Sequence, residues 1–323
     1  MSCHRDAAQG KDPEDMRCVQ ADFEFEGATF GVRTWCASDS EGPLPLGSSV
    51  PIVLLHGFAQ SAHMWDAVAP LVAKGAGRVF VLDFAGHGAS GAPAREEAFD
   101  LRFQARAVNE LCRRVADFAG ARPVLAGYSM GGRVALASAC AAAASGGADD
   151  PGHFPMSALV LESAGLGPEN DAERAALRQR NFTWANRLRC EGVAAFMDYW
   201  EGLALFESQK RLPEPVRARV REERLANSAC ALALTFERAG AHAMPSRGES
   251  LQALRTLMNG GIPVLYLAGE LDAKYCAVAR GVERDTSGAI ETRIVSGAGH
   301  NTHLEQPEAF AGILGEACER VAG

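Results

Sequence analysis

Residues 124–139 read VLAGYSMGGRVALASA, and no other stretch constrains the fold as tightly. An apolar run (Val124, Leu125, Ala126) passes through Gly127-Tyr128-Ser129-Met130-Gly131 into a segment rich in Ala and Leu. This is G-x-S-x-G between a strand and a helix, the context in which a sharp turn raises a serine as a nucleophile. Glycines flank it because side chains there would meet the neighbouring strand and helix. A bare G-x-S-x-G can be a simple glycine turn. The strand before it and the small-residue helix after it favour the chemical reading.

Around this turn the chain alternates strand and helix. Residues 20–36 alternate apolar and polar around Gly27, which predicts an antiparallel hairpin. A Gly/Pro/Ser linker leads to a buried strand, Ile52–Leu55, that ends in His56-Gly57-Phe58. A helix around 65–73, a strand at 78–83, a turn at 84–90 and a helix over about 99–118 precede the serine turn. Downstream come a surface loop at 143–155 and a strand at 157–162, then a helical block from 165 to 257. Strands return at 262–268 and 291–295, and a helix closes the chain at 307–321. This pattern predicts an α/β fold with a mostly parallel sheet and helices on both faces. Residues 19–164 and 258–323 would form the core, and 165–257 an inserted helical cap. Residues 1–18 are polar and are expected to be disordered.

Composition narrows the partners. The 323 residues carry a net charge of −8 and no basic tail, which weighs against nucleic acid or an anionic membrane. The polar start of the chain has no signal-peptide core, and no apolar run reaches the ~18 residues of a membrane span. Nine cysteines, an odd number without C-x-x-C, read as reduced thiols in a cytoplasmic protein with no disulfide framework and no structural zinc.

In a parallel sheet of this kind, reactive side chains collect at the C-terminal ends of the strands. Ser129, Asp272 and His300 each follow a predicted strand, in the order nucleophile, acid, base. His300 would serve as base, and Asp272 would orient its ring. Asp272 equally suits a helix N-cap, and Glu162 is a rival acid. His303 reads as a helix-start residue, His56 as a brace for its loop, and His87 as structural. Backbone N–H groups of Phe58 and Met130 are the expected oxyanion hole.

Arg133 stands four residues after Ser129, one turn along the same helix face. A cation there opposes the helix dipole, so something should compensate. A nearby Glu is one candidate; a substrate carboxylate, which Arg binds in a fork, is the other. Arg outnumbers Lys 28 to 4 throughout, so total Arg content says little. Residues 174–224 nevertheless hold ten Arg and one Lys against seven acids in an acidic chain, and a basic lid suits a polycarboxylate.

From about residue 51 to 310 the chain resembles the 2-succinyl-6-hydroxy-2,4-cyclohexadiene-1-carboxylate (SHCHC) synthases, α/β-hydrolase-fold lyases of menaquinone biosynthesis. G-Y-S-x-G-G-R at 127–133 is the most specific piece. AERAALRQR (172–180), FMDYWEGLALFESQKRLP (196–213), REERLANS (221–228) and GAGHNTHLEQP (297–307) also fit. Residues 1–18 and the 143–155 loop have no counterpart. The resemblance implies elimination of pyruvate from 2-succinyl-5-enolpyruvyl-6-hydroxy-3-cyclohexene-1-carboxylate, with no added water, no cofactor and no metal. Ser129, supported by His300 and Asp272, would be the base. Arg133, Arg178 and Arg224 would hold carboxylates, with Arg180 a substitute for Arg178. Tyr128 would shape the pocket, and either Tyr199 or Trp200 would match the family's cap aromatic. The same residues also leave open a serine hydrolase acting on an anionic ester or a carbon–carbon bond. A non-enzymatic binding protein fits less well, because the three reactive residues are all present.

Overall fold

Three positions without a side chain decide how the core closes. In the computed structural model, which describes residues 16–37, 50–146 and 153–322, strand β5 (Val124–Tyr128) turns directly into helix α3 (Met130–Ser145). A Cβ on Gly131 would sit 2.3 Å from the carbonyl oxygen of Leu55, and one on Gly127 would sit 2.4 Å from that of Gly131. A Cβ on Gly132 would press on Ala164 at 2.5 Å. Ser129 takes the resulting conformation, φ 50° and ψ −103°, a strained geometry worth about 1–3 kcal/mol that surrounding packing must hold.

β5 lies within an eight-stranded sheet of order β1-β2-β4-β3-β5-β6-β7-β8. β1 (Met16–Phe25) and β2 (Ala28–Ala37) form the expected hairpin, and β2 pairs antiparallel with β4 (Arg78–Leu82). β3 (Ile52–Leu55), β4, β5, β6 (Ala158–Glu162), β7 (Val264–Gly269) and β8 (Glu291–Val295) run parallel. Period-two alternation divides their side chains between two cores. Ile52 and Leu54 pack with Trp65, Val68, Phe310 and Leu314 under α1 (Ala69–Ala76) and α10 (Pro307–Glu319). Val53 and Leu55 face α2 (Leu101–Ala119), α3, α7 (Arg247–Asn259) and α8 (Ala273–Asp285) on the other side. α1 starts at Ala69 with Pro70 in its first turn, and a 3-10 turn at Ala62–Trp65 precedes it, where a helix around 65–73 was expected.

The cap between β6 and β7 comprises α4 (Asp171–Glu201), a 3-10 segment at Ala204–Arg211, α5 (Glu214–Leu225) and α6 (Ala229–Ala239). Gly192, at φ 81° and ψ 172°, breaks α4 into two arms. Ala185, Leu188, Phe196, Met197, Leu232 and Phe236 give the cap its own apolar cluster, joined by Ala59 of the core.

Two expected boundaries shift. Most of α7 falls inside the 165–257 block, yet Leu251, Leu254 and Leu257 pack into the main core. Its apolar stripe has the same period as those of the cap helices, so only tertiary contact separates them. Met16, Arg17 and Cys18 belong to β1, paired with Ala37, Cys36 and Trp35. Met16 buries its side chain against the first core, which extends the strand into a stretch read as disordered. The expectations for residues 1–15, for the linker at 38–49 and for 147–152 lie outside the described residues.

The Gly131 contact predicts that Gly131→Ala costs about 1–3 kcal/mol, since its new methyl meets backbone and not a yielding side chain. Gly312 in α10 has nothing within 4 Å of its virtual Cβ, so Gly312→Ala should melt no lower than the wild type. Thermal denaturation of both variants checks this, and equal melting temperatures would contradict it.

Candidate active site

The parallel strands deliver three loops to one edge of the sheet. Ser129 arrives from β5, Asp272 from the end of β7, and His300 from the turn after β8. The Ser129 hydroxyl and His300 Nε2 lie 3.1 Å apart, and His300 Nδ1 lies 2.7 Å from Asp272 Oδ2. Nδ1–H donating to the carboxylate leaves Nε2 to accept from the serine. The other Asp272 oxygen accepts the Tyr275 amide at 3.1 Å, so Asp272 caps α8 and orients the ring at once. Burial pulls the His300 pKa below its ordinary 6.5, and the bond to Asp272 opposes that shift.

The rival acid takes a different partner. Glu162 lies at the end of β6, and its carboxylate binds His303 Nδ1 at 2.7 Å. His303 opens α9 (Thr302–Glu305) and is buried against the Trp65 ring. His56 braces its loop: Nδ1 donates to the Gly57 carbonyl at 2.7 Å, and Nε2 accepts the Phe84 amide at 3.0 Å. His87 bonds the Ala85 carbonyl, and burial lowers its pKa to about 4.

A cavity of about 260 Å³ opens over Ser129 and His300, between core and cap. Phe58 lines it from the loop after β3, its ring against Phe236 at 4.1 Å and Trp200 at 5.2 Å. Met130 turns its side chain into the core and heads α3, where the first amides lack intrahelical acceptors. Tyr128 borders the cavity with its ring 5.3 Å from that of His300.

Arg133 also lines the cavity. Its strongest described contact is a long bond to the Ala239 carbonyl at 3.4 Å, and it has no carboxylate partner among the described residues. Burial, with Arg180 adding to it, pushes its pKa down to about 10. The nearby-Glu option is therefore not realised. Arg224 is buried too, but it donates to Glu201 and to Gln209, each at 3.0 Å, leaving Nε without a partner.

Residues 52–313 match the alpha/beta hydrolase family. A Bacillus subtilis (strain 168) protein that carries the SHCHC synthase name provisionally is 34% identical over 289 residues, 88% of this chain and 94% of its own length. The chain belongs to the SHCHC synthase family of α/β hydrolases. An SHCHC synthase of Salmonella typhimurium is 30% identical over 265 residues, covering 82% of this chain and 92% of that protein. The solved structure of MenH from S. aureus superposes with a TM-score of 0.76 at 25% identity, covering 90% of this chain and 99% of that one. A malate-bound thermophilic esterase from Thermogutta terrifontis shares the fold, with a TM-score of 0.67 at 22% identity over 95% of this chain and 100% of that one.

Against the cap residues expected for an SHCHC synthase, two positions change. Arg178 is exposed and lies over the Phe182 ring, away from the cavity. Arg180 lines the cavity instead, stacked over Trp184 at 4.6 Å with no carboxylate partner among the described residues. Tyr199 sits outside under the Arg187 guanidinium, while Trp200 faces in. Arg180 shares a helix face with Trp184, and Trp200 with the buried Phe196, one turn away in each case. Sequence reasoning missed Lys274, Tyr275 and Phe206, all of which line the cavity. Lys274 and Tyr275 follow Asp272 in the first turn of α8, and that proximity was the available signal.

The buried His300 environment predicts an imidazole that titrates below pH 6.5 in the free protein. NMR of histidine-labelled protein, with the His300 signal identified by its loss in His300→Ala, reads the midpoint directly. A midpoint at or above 6.5 would contradict the stated balance between burial and Asp272.

Proposed function

We propose that the chain is a carbon–oxygen lyase, an SHCHC synthase that eliminates pyruvate from 2-succinyl-5-enolpyruvyl-6-hydroxy-3-cyclohexene-1-carboxylate. The observation that carries this reading is two arginines without carboxylate partners, Arg133 and Arg180, beside the Ser129–His300–Asp272 chain in one cavity. Leaving guanidinium groups unpaired in a partly desolvated cavity is costly unless an anion completes the site. The substrate named for this family carries three carboxylates.

The chemistry follows from the substrate's bonds. The proton on ring carbon 2 is adjacent to the succinyl carbonyl. Ser129 Oγ takes that proton as His300 Nε2 takes the hydroxyl proton, and Asp272 stabilises the imidazolium. Charge flows onto the carbonyl oxygen, where the Phe58 and Met130 amides are the proposed donors. The electron pair then moves through the ring, the bond from carbon 5 to oxygen breaks, and pyruvate leaves as its enolate, which ketonises by taking up one proton while the His300 imidazolium gives up the proton it gained. Atoms balance without water. Arg133, Arg180 and the free Nε of Arg224 hold the carboxylates, while Tyr128, Trp200 and Phe206 form the walls. No helix among the described residues is long and apolar enough to cross a membrane.

A coupled assay tests the reaction. The enolpyruvyl precursor is made enzymatically, the protein is added, and pyruvate is read with lactate dehydrogenase against a control without the protein. Release well above that control, lost in Ser129→Ala, is the expected result. Release equal to the control would return the chain to the serine hydrolases, with an anionic ester or a diketone as the next substrate.

The arginines give a sharper contrast. One arginine–carboxylate bond contributes about 1.5–3 kcal/mol, so Arg133→Ala and Arg180→Ala should each lower kcat/KM by more than roughly tenfold. Arg178→Ala should stay within about twofold, because Arg178 does not line the cavity. Hydrolysis of a small neutral ester, where it occurs, should be insensitive to all three. Equal losses from Arg178→Ala and Arg180→Ala would overturn the assignment.

A further inference from the structure

Glu162 neither lines the cavity nor joins the Ser129–His300–Asp272 chain, yet it bonds both the turn that carries Ser129 and the loop that follows His300. Its main-chain carbonyl accepts the Ser129 amide at 2.8 Å. Its carboxylate, 1% exposed, reaches the loop that carries His300. Oε1 accepts the Thr302 hydroxyl at 2.6 Å and the His303 amide at 3.1 Å, while Oε2 accepts His303 Nδ1–H at 2.7 Å. These residues follow His300 by two and three positions, so little slack separates the clamp from the base.

The clamp itself is held rigidly. The His303 ring stacks on Trp65, centroids 3.8 Å apart and planes 16° from parallel. Tyr128 stands between the two histidines, 5.3 Å from His300 and 5.0 Å from His303. One residue at the end of β6 thus fastens the nucleophile turn through its backbone and the base loop through its side chain. The sequence offered Glu162 as a rival to Asp272. The geometry separates them: Asp272 meets the His300 ring, and Glu162 meets the loop behind it.

We propose that Glu162 is a positioning residue for the elimination, holding Ser129 and His300 in register through its carbonyl and its carboxylate. The inference rests on the reading above, in which His300 accepts the proton. Glu162 also acts on the base at a distance. His300 is faced by Asp272, Lys274 and Tyr275 from the β7–α8 corner, by Tyr128 from β5 and by Phe206 from the cap. Glu305 of α9 binds the backbone amides of Gly299 and Asn301 on either side of it. Among these charges Asp272 and Glu162 favour the imidazolium, and Lys274 opposes it.

The test replaces charge while keeping shape. In Glu162→Gln the side-chain oxygen still accepts from Thr302 and the His303 amide. The new amide N–H can donate to His303 Nδ1 if that ring carries its proton on Nε2, which is buried without a partner in either tautomer. His300 should then titrate at a lower pH than in the wild type by histidine NMR, and the acid limb of kcat/KM should move the same way. A weaker base should lower kcat roughly three- to tenfold with KM within about twofold, because Glu162 does not touch substrate. Glu162→Ala removes the clamp as well, and kcat should fall roughly a hundredfold.

Thr302→Val guards against a variant that fails to fold. It breaks one bond of the clamp and leaves the charge, so kcat should fall while the His300 titration stays in place. An unmoved His300 titration in Glu162→Gln, a loss carried by KM, or unchanged kcat in Thr302→Val would each overturn the proposal. Failure of the underlying reading looks different: His300→Ala would retain pyruvate release, while the NMR shift in Glu162→Gln would persist.

Discussion

The approach of Gly131 to the Leu55 carbonyl is the contact on which the rest of the molecule depends. Because no Cβ intervenes, the start of α3 can pack against the end of β3, and the turn between β5 and α3 must be abrupt. Ser129 absorbs that abruptness with a positive φ, which lifts its hydroxyl above the strand ends. A parallel sheet brings the loops after β6, β7 and β8 to the same edge. Asp272, His300 and Glu162 therefore come to the edge that holds Ser129 from three different strands without any long loop. Local backbone strain is the counterpart of that economy, and a core packed on both faces of the sheet sustains it.

Electrostatics is divided between completed and incomplete pairs. Around the periphery, arginines such as Arg189 and Arg238 meet Glu237, Glu96 and Asp100, and these pairs carry the surface charge of a basic cap on an acidic chain. Along the cavity, Arg224 is half committed to Glu201 and Gln209, while Arg133 and the exposed Arg180 have no described acid at all. A sequence consistent at every level would have paired them. Places where local rules are broken and not repaired tend to be functional.

Much of this was legible because it is local. Ile52–Leu55 and the glycine turn around Ser129 depend on residues adjacent in sequence, and the structure has both. What escaped depends on rotation and partners. Arg178 and Arg180 are two positions apart, about 200° around a helix, so they face nearly opposite ways. Arg180 shares its face with Trp184, one turn on, and both border the cavity. Tyr199 and Trp200 pose the same problem on the second arm of α4. α7 has a stripe suited to either layer, and the core claims it through Leu251, Leu254 and Leu257. Met16 sits in a polar context, and only its pairing with Ala37 reveals a strand.

The interruption at Gly192 sets the bore of the site. Arg180 and Trp184 stand on one arm of α4 and Trp200 on the other, and all three border the same cavity. The two arms meet at a backbone conformation that residues with a Cβ rarely adopt. The Arg180–Trp184 wall and the Trp200 wall are thus linked through the dihedral angles of a residue that does not line the cavity. A lineage could widen or narrow this chamber by drift at that hinge alone, keeping every side chain that meets the ring. Comparing only contact residues between relatives would then overlook the change that altered their range of substrates.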